Sequence, residues 1–398
     1  MLGWLKREKK PRQGMSTCII PDELVVDILS RLPLKSICRF KCVCKSWLAF
    51  SSHPYYRQKL LRTLAGLLYR KREPGRLPWS LGTAIHLARL PASDREIDTR
   101  LDFVPPCYKN LKVQDCSNGL LLCSQGRNKR EEICNAIVCN PATKEWMALP
   151  DIELGPPGCR TDVRLGFDPL WSQHFYVFKF RSISHLTPHI GTCTEVEVFF
   201  SKDSLWSGCL CETEHAYVGD SIFVNGVLYV KHLWYHKILA LDAPDTSSQG
   251  LNHRIIQLPG YTNGRDTFYS SDGCFSQSSV SLCYAKQELD GCVVRIWSLE
   301  RPDEWVVKHR VSMTGVFGRD VLINTDNYGC WSFDYDILAF DLEREIVILI
   351  ETRADKIILL SISTRKSSQF PKLPEKFTKL HLSLPYVPYY GEFPDLVR

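Results

Sequence analysis

The sequence predicts a multidomain chain of the α+β class, a small three-helix module followed by an all-β propeller of about five or six blades. Three observations carry that expectation. Apolar residues recur at helical spacing near the N-terminus, from Ile20 to about Trp47. Beyond about residue 100 the texture changes to short apolar or alternating runs separated by turn residues. Within this second region a loose unit recurs, ending in the anchors Trp146, Trp206, Ile256, Trp305 and Phe370 at spacings of 60, 50, 49 and 65 residues. That period fits one four-stranded blade of kelch-like length.

In order along the chain, residues 1–18 form a basic, flexible N-terminus, 19–54 the helical module, 55–100 a helical linker and connector, and 101–390 the propeller. Pro21 suits the first turn of a helix, where its missing N–H has no partner to lose. Asp22 and Glu23 place negative charge at the positive end of the helix dipole. Leu24, Val25, Ile28, Leu29 and Leu32 then share one face, and Pro33 stops the helix. Leu34, Ile37 and Phe40 read as a short second helix, and Val43, Trp47 and Leu48 as a third. Three helices this short cannot bury all of those side chains among themselves, so part of the apolar surface belongs to a partner. Tyr56, Leu60, Leu61, Leu64, Leu67 and Leu68 extend an amphipathic helix to about Arg72, ended by Pro74-Gly75.

In the β region Asn118-Gly119 and Asn225-Gly226 are strong hairpin signals, because both turn positions need positive φ. Leu149-Pro150, Leu258-Pro259 and Leu373-Pro374 close three of the repeats alike. A sixth blade is expected from strands at both ends of the domain, for example Leu101–Val104 with Lys379–Leu384. Two stacked sandwiches are the structural alternative. Segments 181–194, 242–254, 261–277 and 314–333 are the candidate binding loops. Tyr261, Arg265, Phe268, Tyr269, Phe317, Arg319, Tyr328 and Trp331 supply residue types favoured at binding hot spots, or else pack the blade edges.

Charge is unevenly spread. Residues 1–72 hold 16 Lys/Arg against 4 Asp/Glu, within a chain whose net charge is +6. A basic first piece on a mildly acidic body points to an acidic partner and away from a nucleic-acid coat. No stretch has the ~20 uninterrupted apolar residues of a membrane span, and the start has no signal-peptide run. An intracellular protein, cytoplasmic or nuclear, is expected. The 17 cysteines include no Cys-x-x-Cys pair and read as free thiols filling apolar sites rather than as zinc ligands. No catalytic or phosphate-binding motif occurs, and no cofactor is expected. His215, His232 and His236 read as ordinary surface or core histidines, and Asp168 and Asp242 as turn residues bonding their own backbone.

The segment Ile20–Trp47 closely resembles the F-box of plant F-box proteins. The marks are Ile20-Pro21, Ile28-Leu29, Leu32-Pro33, Arg39-Phe40 and Val43-Cys44-Lys45-Ser46-Trp47, with Ile20 where the family usually has Leu. Ser117–Cys123 and Cys139–Trp146 resemble the opening blade of the F-box-associated domain. The resemblance implies a substrate-recognition subunit of an SCF-type ubiquitin ligase without catalytic groups of its own. Ile20, Pro21, Leu24, Ile28, Leu29, Leu32, Pro33, Arg39, Val43, Cys44, Lys45 and Trp47 would meet a Skp1-type adaptor and, through it, the cullin and RING subunits. Lys35, Arg39, Lys41 and Lys45 would steer encounter with an acidic adaptor, or simply form a solvated face. The propeller would hold an unknown protein substrate. An adaptor-bound scaffold outside the ligase and a glycan- or small-ligand-binding propeller are the alternatives.

Overall fold

The computed structural model describes Leu24 and residues 64–393, with breaks at 73–80, 91–96, 109–110, 126–132, 155–159, 183–193, 212–217, 233–235, 245–250, 262–272, 279–280, 302, 326–330, 355, 371–382 and 392. The chain divides into two units, Met1–Leu61 and Arg62–Arg398. Apart from Leu24, which is helical, the three-helix expectation for residues 19–54 lies outside the described residues.

The second unit is a six-bladed propeller. Strands β1 (Gly66–Arg72) and β2 (Leu81–Arg89) open it. Next come β3 (Leu111–Ser117), β4 (Leu120–Gln125), β5 (Ile133–Cys134), β6 (Ala136–Asn140), β7 (Glu145–Ala148) and β8 (Ile152–Glu153). Of these, β3-β4-β6-β7 form blade 1, while β5 pairs with β8 in a side ribbon. Blade 2 is β9 (Arg160–Gly166), β10 (Tyr176–Ser182), β11 (Thr194–Phe200) and β12 (Leu205–Cys211). Blade 3 is β13 (Val218–Val224), β14 (Val227–His232), β15 (Lys237–Asp242) and β16 (His253–Gln257). Blade 4 is β17 (Cys274–Ser278), β18 (Ser281–Gln287), β19 (Val293–Arg301) and β20 (Glu304–Ser312). A helical turn at Thr314–Phe317 and the ribbon β21 (Ile323–Thr325) with β22 (Trp331–Phe333) precede blade 5. Blade 5 is β23 (Tyr335–Asp341), β24 (Ile346–Glu351), β25 (Lys356–Ser361) and β26 (Ser367–Gln369). Finally β27 (Ser383–Tyr386) pairs with β1 to make blade 6, order β2-β1-β27.

The ring has no single centre of hydrophobicity. Instead an apolar cluster fills each junction between neighbouring blades, six in all among the described residues. Phe178, Phe180 and Phe223, for example, join blade 2 to blade 3. Each such fully buried side chain contributes about 1.5–3 kcal/mol. Four of the repeat anchors lie on outermost strands, Trp146 on β7, Trp206 on β12, Ile256 on β16 and Trp305 on β20, and Phe370 directly follows β26. Trp305 shows what such an anchor does: its indole Nε1–H donates to the Gln257 carbonyl at 3.0 Å, fastening blade 4 to blade 3. Both Asn-Gly turns form, with positive φ at Asn118, Gly119, Asn225 and Gly226.

Two expectations are corrected. The helix extended to Arg72 is instead strand β1 from Gly66 onward. Its apolar run mimicked helical spacing because β1 is buried on both faces. Leu67 and Tyr69 pack toward blade 5, while Ala65 and Leu68 pack toward blade 1. The closing strands are also shifted. Leu101–Val104 forms no strand, and β27 pairs with β1 in the register Leu68↔Leu384. Leu101, Phe103 and Val104 pack against the blade 6–blade 1 cluster instead. The sandwich alternative falls with the ring topology.

Candidate binding face of the propeller

Topology sorts the connections between two ends. Within each four-stranded blade successive strands are antiparallel, so the first-to-second and third-to-fourth turns share one end, here called the lower end. The second-to-third turns and the connections between consecutive four-stranded blades share the other, upper end. Candidate loops 181–194, 261–277 and 314–333 therefore fall at the upper end. Segment 242–254 joins β15 to β16 and falls at the lower end, so it cannot act with the other three.

A partly buried polar network ties the lower end together. Asp168, 2% exposed, follows β9 and accepts through Oδ1 from its own Leu170 N–H at 3.0 Å. Its Oδ2 accepts from the Asn225 N–H of blade 3 at 2.9 Å and from Gln277 Nε2 of blade 4 at 3.2 Å. Asn118 of blade 1 donates to the Phe167 carbonyl at 2.7 Å and meets Gln277 Oε1 at 3.4 Å. Blades 1 and 4 stand opposite in a ring of six, so this last contact crosses the axis. The tail after β27 covers the same end: Tyr389 is buried against Phe167 with ring centroids 5.0 Å apart, and Asn140 Nδ2 donates to its carbonyl at 2.9 Å.

Deeper in the axis lies Asp115 of β3. It accepts from the N–H of Cys116 at 2.8 Å, the N–H of Leu165 at 2.8 Å and Ser221 Oγ at 3.3 Å, joining blades 1, 2 and 3. Burial pushes its carboxyl up to about 6, against the pull of Arg164 and these hydrogen bonds. The turn-aspartate expectation thus held for one Asp168 oxygen and missed the other. Asp242, read alike, binds Arg254 Nη1 at 3.1 Å.

The upper end is built differently. Arg181 bridges Glu195 at 3.0 Å and Glu197 at 3.2 Å, with Lys179 also on Glu197. Arg295 and Arg310 share Glu288 at 2.6 and 3.0 Å. Burial alone would raise the Glu288 carboxyl, but the two guanidiniums outweigh it and hold it below its usual value. Arg319 and Arg353 share the buried Asp334 at 2.9 and 3.1 Å. Shared carboxylates hold these planar donors in fixed orientations with N–H groups to spare. Tyr261 stacks on His236 at 3.6 Å between centroids and receives Lys286 Nζ over its ring at 3.1 Å. The short spacings put His236 and Lys286 on opposite faces of that ring. Leu289 and Val321, both 56% exposed, flank the hydrogen bond from the Leu322 N–H to the Asp290 carbonyl.

Among the twelve F-box residues singled out, Leu24 alone is described, 54% exposed. Of the loop residues, Phe317 stacks on Tyr335 at 5.0 Å and Trp331 sits edge-on to Phe333 at 5.4 Å, so both pack as well as face outward. Arg265, Phe268, Tyr269 and Tyr328 lie outside the described residues. Sequence reasoning missed Arg181, Arg295, Arg310 and Arg353. The signal was present as opposite charges alternating on consecutive strands, Lys179 and Arg181 against Glu195 and Glu197. Among the described residues no group of three or more His, Cys, Asp or Glu is placed to hold a metal. The described cysteines are free, and burial pushes the Cys283 thiol up to about 11 and the Cys274 thiol up to about 12. Such thiols are poor nucleophiles.

Residues 98–368 match the family model described as F-box protein At3g26010-like, beta-propeller, and residues 18–59 match the F-box domain. F-box protein At5g49610 of Arabidopsis thaliana is 27% identical over 374 residues, 89% of this chain and 94% of that protein. F-box protein At5g07610 of the same plant is 26% identical over 389 residues, 90% of this chain and 84% of the relative. With F-box protein At1g53790, also from Arabidopsis thaliana, identity is 27% over 243 residues, 56% of this chain and half of that protein's length. Among solved structures, a chain of the nidogen/laminin complex is similar at 13% identity and a TM-score of 0.37, over 77% of this chain and 93% of that one.

Proposed function

The chain belongs to the F-box proteins that carry an At3g26010-like β-propeller, and from that premise we propose that it is the substrate-recognition subunit of an SCF-type ubiquitin ligase. One observation supports the reading: residues 18–59 match the F-box in the same chain as a propeller whose lower end is hydrogen-bonded across its axis and whose upper end carries braced arginines. In this reading the F-box docks on a Skp1-type adaptor that links to cullin and RING subunits. The upper end, with its braced arginines, Leu289 and Val321, receives the protein to be ubiquitinated. No residue here enters the bond chemistry. Ubiquitin transfer occurs on partner subunits, and this chain acts by raising the local concentration of the substrate.

Two paired variants test it. Leu29→Asp with Leu32→Asp abolishes co-purification with the adaptor while the propeller's unfolding transition stays in place. Leu289→Asp with Val321→Asp retains the adaptor and cullin but loses the ubiquitinated client that accumulates when the proteasome is blocked. Adaptor capture that survives the first pair, or co-purification with adaptor but never with cullin, refutes the ligase reading.

A further inference from the structure

Four segments of the upper end are joined side by side where blade 4 meets blade 5. Asp290 lies in the β18–β19 turn, Leu322 just before β21, Asp334 just after β22, and Thr352 in the β24–β25 turn. Leu322 donates its N–H to the Asp290 carbonyl at 3.0 Å, Asp334 to the Leu322 carbonyl at 2.9 Å, and Thr352 to the Asp334 carbonyl at 2.9 Å. Leu322 is fully buried, and a methyl group on Gly291 would stand 2.7 Å from its carbonyl oxygen, so the row is packed tightly from beneath. Main-chain bonds in series make these turns one fixed floor, and a group mounted on a fixed floor loses little freedom when it binds.

Two kinds of side chain stand on this floor. Arg319 and Arg353 meet the buried Asp334 at 2.9 and 3.1 Å, yet their side chains stay 37% and 52% exposed. Each meets it through one nitrogen, Nη1 of Arg319 and Nε of Arg353. Among the described residues neither Asp334 oxygen receives a well-directed hydrogen bond. Asp334 therefore holds the two guanidiniums by charge and leaves their N–H forks directed elsewhere. The two contacting nitrogens are no more than about 8 Å apart, a gap that the oxygens of one further carboxyl group can span with two hydrogen bonds. The second kind is apolar. Leu289 precedes Asp290 and Val321 precedes Leu322, so the bond between those two floor residues brings both exposed side chains together. Ion pairs that served only to fasten loops would direct their N–H groups into Asp334 and would have no use for exposed apolar neighbours. Arginine beside apolar side chains is the composition of a binding hot spot.

Charge decides which anion fits. Asp320 follows Arg319 in the chain, and the Asp290 carboxylate accepts from the Cys292 N–H at 2.8 Å on the same floor. With Asp334 these acids offset the two guanidiniums, so no long-range positive field draws in a doubly charged group. Selection is by contact: a planar acceptor with two oxygens suits the forks, and a single negative charge meets the least repulsion from the neighbouring acids. We infer that this floor recognises an acidic–apolar pair in the client, an Asp or Glu carboxylate bridging Arg319 and Arg353 while a nearby aliphatic or aromatic side chain covers Leu289 and Val321. The inference rests on the reading of the upper end as the client's face and gives that client a chemistry.

The test selects a displayed library of random ten-residue peptides on the full chain and measures a synthetic copy of the most enriched peptide by fluorescence anisotropy. The expected peptides hold Asp or Glu within two residues of a large apolar residue. Changing that acid to its amide weakens binding about tenfold or more, and so does Arg319→Lys with Arg353→Lys, which keeps both charges beside Asp334 but loses the planar forks. The first change alters only the peptide, so folding of the variant is not at issue. Phosphoserine in place of the acid binds no tighter. Four results overturn the inference: no enriched peptide, equal binding of the amide peptide, equal binding to the Arg319→Lys, Arg353→Lys variant, or binding of the phosphoserine peptide about tenfold tighter. Adaptor and cullin capture is scored on the same preparations. Capture of both without peptide binding sinks this inference alone, whereas peptide binding with adaptor but never cullin sinks the ligase reading and leaves the acid-recognising floor standing.

Discussion

Replacing Asp168 by alanine removes the acceptor on which two blade-to-blade hydrogen bonds at the lower end converge. The carboxylate is 2% exposed and receives Leu170 N–H at 3.0 Å, Asn225 N–H at 2.9 Å and Gln277 Nε2 at 3.2 Å. A hydrogen bond to a charged acceptor contributes about 1.5–3 kcal/mol, and a buried donor left without its partner costs a similar amount. Leu170 belongs to the same turn as Asp168, so the bonds from Asn225 and Gln277, which cross blade boundaries, set the scale. Their sum places the loss for Asp168→Ala at about 3–6 kcal/mol. Asp168→Asn keeps the shape and one acceptor; with its oxygen toward Asn225 and Gln277 only the Leu170 N–H loses its partner, which confines the loss to about 1–2 kcal/mol. The assay is urea unfolding of the full chain, followed in parallel by tryptophan fluorescence and circular dichroism. A double-mutant cycle with Gln277→Ala isolates the blade 2–blade 4 bond. If Asp168→Ala unfolds within about 1 kcal/mol of wild type with an unchanged urea slope, the network is not what holds the lower end.

Asp115 makes stability pH-dependent in an unusual direction. Its folded-state carboxyl lies at about 6 against an ordinary 3.8, so its contribution is fully present below the unfolded value and is lost as pH rises through about 6. Acidifying from pH 7 to 5 therefore raises the stability of wild type by about 1.4 kcal/mol relative to Asp115→Asn, measured by urea midpoints at the two pH values. Gly119→Ala destabilises by about 2 kcal/mol or more, because φ is +92° and the new methyl would stand 2.5 Å from both the Tyr389 nitrogen and the Val387 carbonyl. Thermal unfolding of this variant checks it, and an unchanged midpoint would mean that the tail is not seated there. Tyr389→Ala removes the ring packed on Phe167 at a cost of about 3–5 kcal/mol, read by the same urea assay.

The ring was legible in the sequence because its outermost strands carry a periodic marker. Trp146, Trp206, Ile256 and Trp305 recur there since each must cover an apolar junction at the rim. The Asn-Gly turns were legible because positive φ restricts the residue choice. Strand β1 was not, because burial on both faces erases the two-residue alternation that identifies a strand. The networks of Asp115 and Asp168 were hidden for another reason. They join Asp115 to Ser221 and Asp168 to Gln277, pairs brought together only by ring closure. Local sequence exposes what an aspartate does to its own turn, as with Leu170, but not what it reaches across a blade boundary.

The pairing of β27 with β1 also bears on how the protein comes to exist. Leu68 waits for Leu384, so the contact that shuts the ring joins residues more than three hundred positions apart. During synthesis at ~5–20 residues per second, the N-terminal hairpin is made many seconds before the strand that locks it. Blades 1 to 5 can assemble on one another in that interval, but the apolar flank of β1 stays open to water and to other chains until β27 arrives. The unfinished ring is therefore the species most exposed to aggregation and to chaperones, and any fault that stops translation before residue 383 leaves a chain that can never close.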